Sequence, residues 1–224
     1  IEGWPSVYAK CDGLKQATVV VVYVDDLVML GGEDLDDTIA NLRKHIDMED
    51  PHDIDKYLGC HHEFFHDAKQ ELAGFELSMK DFFKQSANVY AEKTGLKLKN
   101  ADKPFAPELP RDQQIALMEE TGKFSAEAAS LLMKPMYGAR LARPDLCVPI
   151  QQLACLIHRW SSECDRRLHR LYCYIQATTD YSLSGRLSTR KGQSYKLKLW
   201  PDSDLNGNPF SAKSTAGMWL ELTD

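Results

Sequence analysis

The stretch Val19–Leu30, VVVVYVDDLVML, constrains the chain more than any other. Four valines lead into Tyr23, and β-branched runs of this kind favour strand. A second apolar run, Leu27–Leu30, follows two adjacent aspartates. Two apolar runs separated by so few polar residues read as a β-hairpin between buried strands, with Asp25 and Asp26 at its turn. If the backbone stays extended through the pair, the carboxylates point to opposite faces. One can then reach a ligand while the other braces the backbone or shares the site. Carboxylates held at a strand end suit Mg²⁺, a hard cation that takes oxygen ligands and keeps substrate phosphates in its shell. Two such ions can clamp the attacking and leaving oxygens of a phosphoryl transfer. Aspartate also favours ordinary hairpin turns, so the shape alone does not separate the two readings.

The 224 residues suffice for one large domain or two small ones, and the 43% hydrophobic fraction is that of a globular protein. The net charge of −6 gives no global sign of a polyanion binder. Its distribution is uneven. Asp25–Asp55 holds eleven acids and two bases, whereas Gln151–Lys198 holds nine bases and three acids. This asymmetry points to an acidic site and a separate polyanion-facing surface, or to two solvated faces. None of the six cysteines forms C-x-x-C, and the last four recur every eight or nine residues, which suits buried apolar positions. With no signal peptide and no apolar run of membrane-spanning length, an intracellular, reducing setting is expected.

The pattern predicts strands at SVYAK and ATVVVVYV, then a helix over Asp34–Ile46 with apolar residues at Leu35, Ile39, Leu42 and Ile46. DKYLGCHHEFF and ELAGFELS read as a second antiparallel pair. A helix follows, with Ser78 as its cap, Asp81 completing a capping box and Gly95 closing it. KLKNADKPFAPELP reads as a linker. Helices are expected over Ser125–Ala142 and Pro144–Ala177, although Pro149 argues for a later start to the second. KLKLWPDSDLNG and KSTAGMWLEL read as a closing strand pair.

YVDD between apolar strands resembles the polymerase hairpin of reverse transcriptases. After it come KYLGC, FELSMKDFFKQSANVY, KPMYGARLARPDLCVPIQQLACLIHRW, LYCYIQATTDYSLSG, WPDSDLNG and AKSTAGMWLEL. That order is similar to the polyproteins of copia-type LTR retrotransposons over nearly the whole chain. The resemblance implies an α+β chain in three parts: a partial palm with the YVDD hairpin over 1–98, a linker and helical thumb or connection over 99–188, and the first hairpin of an RNase H-like domain over 189–224. It implies RNA-directed DNA synthesis in the parent protein, with RNA template, DNA primer, RNA–DNA hybrid and deoxynucleoside triphosphate as partners and Mg²⁺ as cofactor. The setting would be a cytoplasmic particle or the nucleus.

Carried over residue by residue, Asp25 would be a ligand of the catalytic Mg²⁺ ions and Asp26 would support that site. Tyr23 and Val24 would lie against the primer terminus and the incoming nucleotide. Tyr57, Leu58 and Gly59 fall at the primer-grip hairpin. Asp202 would be the first metal-binding carboxylate of RNase H, with Asp204 beside it. Arg159, Arg166, Arg167 and Arg170 would form thumb or connection surface near the template–primer, or a solvated helix face.

The chain also departs from the pattern. A palm needs an aspartate on an earlier strand, and Asp12, in the turn-like KCDGLKQ, does not replace it. Leu205 follows Asp204 where the family has tryptophan two places after its second aspartate. SSECDRRLH lacks a histidine–tryptophan pair. The opening without methionine and the ending in a strand-like segment read as a truncated or decayed piece, inactive alone. A non-catalytic nucleic-acid-binding remnant is the alternative. A remote alternative is a zinc hydrolase, because His62-Glu63-x-x-His66 matches H-E-x-x-H. In a strand those histidines lie roughly 13 Å apart. Two nitrogens on one zinc lie within about 4 Å.

Overall fold

The computed structural model describes residues 1–11, 17–32, 34–203, 214 and 216–224. The chain is α+β with antiparallel sheets, and it divides into two compact units, 1–54 and 55–224.

In the first unit β1 (Val7–Cys11), β2 (Ala17–Tyr23) and β3 (Asp26–Leu30) form an antiparallel meander. The register sets Val21 opposite both Val7 and Val28, and Tyr23 opposite Asp26. Residues alternate between faces, so Thr18, Val20 and Val22 share one side with Leu27 and Met29. Helix α1 (Leu35–Leu42) is tied to that sheet through the residue before it. Asp34 accepts from the Thr18 hydroxyl and from Lys10 Nζ, both at 3.2 Å. Those contacts, that of Lys10 foremost, hold the Asp34 carboxyl below its ordinary value. Two expectations need correction. The helix ends at Leu42 rather than Ile46, and Val19–Val22 and Leu27–Met29 are half-buried rather than buried.

The second unit contains a four-stranded antiparallel sheet and a helical core. The strands are β4 (Lys56–Tyr57), β5 (Cys60–Asp67), β6 (Leu72–Ser78) and β7 (Leu183–Ser188), in that order across the sheet. Strand β7 carried no clear apolar alternation. Its pairing depends on Gly185, whose missing side chain leaves room for the Phe75 ring, 2.5 Å from where a Cβ would stand. The helices are α2 (Lys80–Thr94), α3 (Arg111–Glu119), α4 (Ala128–Ala142), α5 (Cys147–Ala154) and α6 (Ser162–Ala177). Phe83, Tyr90, Leu132, Leu146, Ile150, Leu168, Leu171, Tyr172 and Ile175 belong to one buried core. Gly138 lets α4 approach α2, since a Cβ there would meet Phe83 Cζ at 2.7 Å.

Within α4 Pro135 has no N–H to donate to the Leu131 carbonyl one turn back. The Tyr172 hydroxyl, on α6, donates to that carbonyl at 2.7 Å. Tyr172 is fully buried and stacks on Tyr90 with ring centroids 4.1 Å apart. Burial pushes the Tyr172 hydroxyl up to about 12, so it stays a donor at any working pH.

Helix boundaries differ from the periodicity reading. Met79, rather than Ser78, stands at the N-cap position of α2 and makes no side-chain capping bond, while Ser78 Oγ accepts from Lys80 N–H at 3.4 Å; Gly95 closes the helix in the left-handed region at φ 69°. The expected Pro144–Ala177 helix is broken. A 3₁₀ turn at Pro144–Leu146 precedes α5, and a second at Ile157–Arg159 precedes an extended Trp160. The break is held from outside. Gly122 N–H donates to the Trp160 carbonyl, Ser162 N–H donates to the Glu120 carbonyl, and Trp160 Nε1 donates to Asp165 at 2.7 Å. Ser161 then caps α6, a signal legible in SSECD. The expected linker lacks helix and strand over 97–110, and α3 follows it directly.

The last pair, β8 (Lys196–Ser203) and β9 (Ala216–Thr223), forms a separate two-stranded antiparallel ribbon. Among the described residues no helix is long and apolar enough to cross a membrane.

Candidate functional site

The VVVVYVDD hairpin closes through a two-residue turn, Val24-Asp25, because Tyr23 and Asp26 are direct cross-strand partners. Val24 has φ 57° and Asp25 does not share that region. This is the pattern of a type II′ turn, whose first position normally takes glycine. A β-branched residue there is strained, and such strain concentrates at functional sites. The extended-backbone condition for opposite-facing carboxylates therefore fails at Asp25, which sits on the turn, while Asp26 begins β3. Tyr23, Val24, Asp25 and Asp26 are all exposed. Val24 is 85% exposed, so the tip presents backbone and carboxylates rather than a packed side chain.

Two adjacent, exposed carboxylates on a tight turn are a donor set of the kind a hard divalent cation takes. Among the described residues no three His, Cys, Asp or Glu side chains are grouped closely enough to hold a metal ion. Asp12, the upstream aspartate considered above, lies outside the described residues.

The turn between β4 and β5 is of the other hairpin type. Leu58 and Gly59 have φ 51° and 78°, the two positive values of a type I′ turn. Glycine suits the second position, and leucine at the first is strained. The Tyr137 hydroxyl donates to the Leu58 carbonyl at 2.7 Å, and its ring packs against Phe82 at 5.6 Å. This contact from α4 holds the strained turn, and the sequence carried no sign of it. Tyr57, Leu58 and Gly59 lie in the second unit, whereas the YVDD hairpin lies in the first.

Three of the four arginines expected at a nucleic-acid surface have partners within the chain. Arg166 and Arg167 both clamp Glu163, which is only 2% exposed, at 2.7 and 2.8 Å. Burial alone would raise the Glu163 carboxyl, but the hydrogen bonds from Arg166 and Arg167 hold it below its ordinary value. Arg166 also donates to the Pro107 carbonyl. Arg170 reaches the Lys103 carbonyl and Asp102 at 2.9 and 2.8 Å. The expected linker is thus a strap fastened to α6. Arg159 is exposed beside Trp160.

Asp202 is exposed on β8 opposite Gly217, and Asp204 and Leu205 lie outside the described residues. His62 and His66 lie on the extended strand β5, opposite Leu77 and Ala73. That spacing is too long for one zinc ion between them. Desolvation, with a smaller push from His61, keeps His62 below its ordinary value.

No family model, no curated protein and no solved structure matches the chain.

Proposed function

We propose that the chain is the part of an RNA-directed DNA polymerase that carries the YVDD hairpin, of the kind found in copia-type retrotransposons. The observation that carries the reading is the hairpin tip. It combines two adjacent exposed carboxylates, a strained Val24 and a direct Tyr23–Asp26 pair in one two-residue turn. A magnesium ion bound there would neutralise charge developing on transferred phosphates. Asp25 offers its carboxylate from the turn. Asp26 is registered by the ladder against Tyr23, so its position is fixed before any ligand arrives. The exposed Tyr23 ring and the Val24 backbone are suited to flank a base and a sugar. Tyr57, Leu58 and Gly59 supply a second rigid turn, braced by Tyr137, for a primer strand.

Among the described residues no third His, Cys, Asp or Glu side chain is grouped with these two; two carboxylates alone do not position two ions, and positioning supplies much of phosphoryl-transfer catalysis. The 224-residue chain is therefore expected to bind an RNA–DNA duplex without extending the primer. The pairing of Arg166, Arg167 and Arg170 makes the hairpin a better-supported contact than the α6 surface. Fluorescence anisotropy with a labelled RNA–DNA duplex tests the reading. Affinity should fall as salt rises, in proportion to the phosphates contacted. Mg²⁺ should strengthen binding, and Asp25→Ala should remove that increment. Absence of duplex binding at low salt overturns the proposal. Mg²⁺-dependent extension by this chain would overturn the incomplete-site part of it.

A further inference from the structure

The ribbon of β8 and β9 is amphipathic in a way the closing-hairpin reading does not use. Its register pairs Leu197 with Leu222, Leu199 with Leu220 and Pro201 with Met218, all on one face. The opposite face pairs Lys198 with Glu221 and Trp200 with Trp219, and Trp200 Nε1 donates to Glu221. The apolar face is open: Leu197 is 71% exposed, Leu199 55%, Met218 77%, Leu220 60% and Leu222 48%. Pro201 is exposed as well. Together these six residues expose on the order of 600 Å² on one face, the top of the ~300–600 Å² range of the largest patch on a typical monomer and three quarters of the ~800 Å² each partner gives a stable interface.

A two-stranded hairpin is marginal in water unless such a face is covered. Apart from Ser203 at its far end, the face bears no charge and no hydrogen-bonding side chain, so a charged peptide or a nucleic acid would find almost nothing to pair with. A surface equally apolar, of the same length and strand pattern, is what fits it. We propose that the occupant is a second copy of this chain, the two ribbons packing face to face about a twofold axis. An isologous contact of this kind needs only a self-complementary patch. Packed sheets lie about 10 Å apart, a gap that facing leucine and methionine side chains fill. The inference stands on the ribbon alone and does not depend on the polymerase reading.

Light scattering coupled to size exclusion, run on the full chain over a wide concentration range, tests it. The expected mass is that of two chains at high concentration. Leu199→Lys with Leu220→Lys, a cross-strand pair at the patch centre, should return the mass of one chain. Lys196→Glu, on the opposite face, should keep the dimer. Should the double variant misfold, hydrogen exchange on the unaltered chain decides: protection of 196–203 and 216–223 must rise with protein concentration. Protection that does not change with concentration would mean that the chain covers the face itself, and overturns the proposal. So would a monomer at every concentration, a dimer indifferent to the leucine substitutions, or an open series of larger species joined at strand edges.

Discussion

Replacing Tyr172 by phenylalanine should expose a debt inside α4. The Tyr172 hydroxyl donates to the Leu131 carbonyl, the group that Pro135 leaves without its helical donor. Phenylalanine keeps the ring stacked on Tyr90 and loses that bond, together with the 3.3 Å contact to Ser86. A buried carbonyl left unpaired costs about 1–3 kcal/mol. The informative comparison is with Pro135→Ala, which supplies an N–H that can donate to Leu131 from within the helix. In that background Tyr172→Phe should cost about 1 kcal/mol less, because the carbonyl no longer depends on the hydroxyl. Urea denaturation of the four proteins in a double-mutant cycle measures this coupling directly. Within-error additivity, with Tyr172→Phe equally costly in both backgrounds, would refute the link between the proline and the tyrosine. A mild penalty from Pro135→Ala itself would not, since the buried proline ring also packs in the core.

Val24→Gly should slow amide exchange across β2 and β3, by an amount corresponding to about 1–2 kcal/mol, because it removes a left-handed β-branched residue. Faster exchange would show that the turn is not strained. Stability should fall in two stages as the solution is acidified. Burial holds His62 and His169 below the ordinary histidine value, so the unfolded chain takes up protons first, and stability drops as pH falls through about 6.5. Glu163 is held below its ordinary value by Arg166 and Arg167, and Asp145 by Arg143, in each case against burial. Their contribution is full above the unfolded carboxylate range and is lost as pH falls through their lowered folded values. Denaturation midpoints measured across this range should show both stages, and Glu163→Gln should flatten the acidic one.

Apolar and β-branched runs, helical periodicity and capping residues made the strand pairs, the closing ribbon and the existence of α1, α2 and α4 legible, because these signals are written locally in the residue order. Gly95 as a helix stop was equally legible, since a left-handed cap is a property of one residue. For the site, the sequence sufficed to put Asp25 at a turn, whereas Asp26, expected there too, begins the return strand β3. What lay beyond it depends on groups distant in the chain. The Pro144–Ala177 helix breaks because segment 120–122 hydrogen-bonds to Trp160 and Ser162. Strand β7 exists because β6 offers an edge and Gly185 leaves space for Phe75. The basic stretch on α6 looked like free positive charge, yet a buried glutamate and a strap of carbonyls claim most of it. Tyr137 reaches Leu58 across 79 residues, and Tyr172 reaches Leu131 across 41. Local order sets which face a residue occupies. Only the packed chain decides which donor meets which acceptor, because a hydrogen bond is satisfied by whatever group the fold brings within 3 Å.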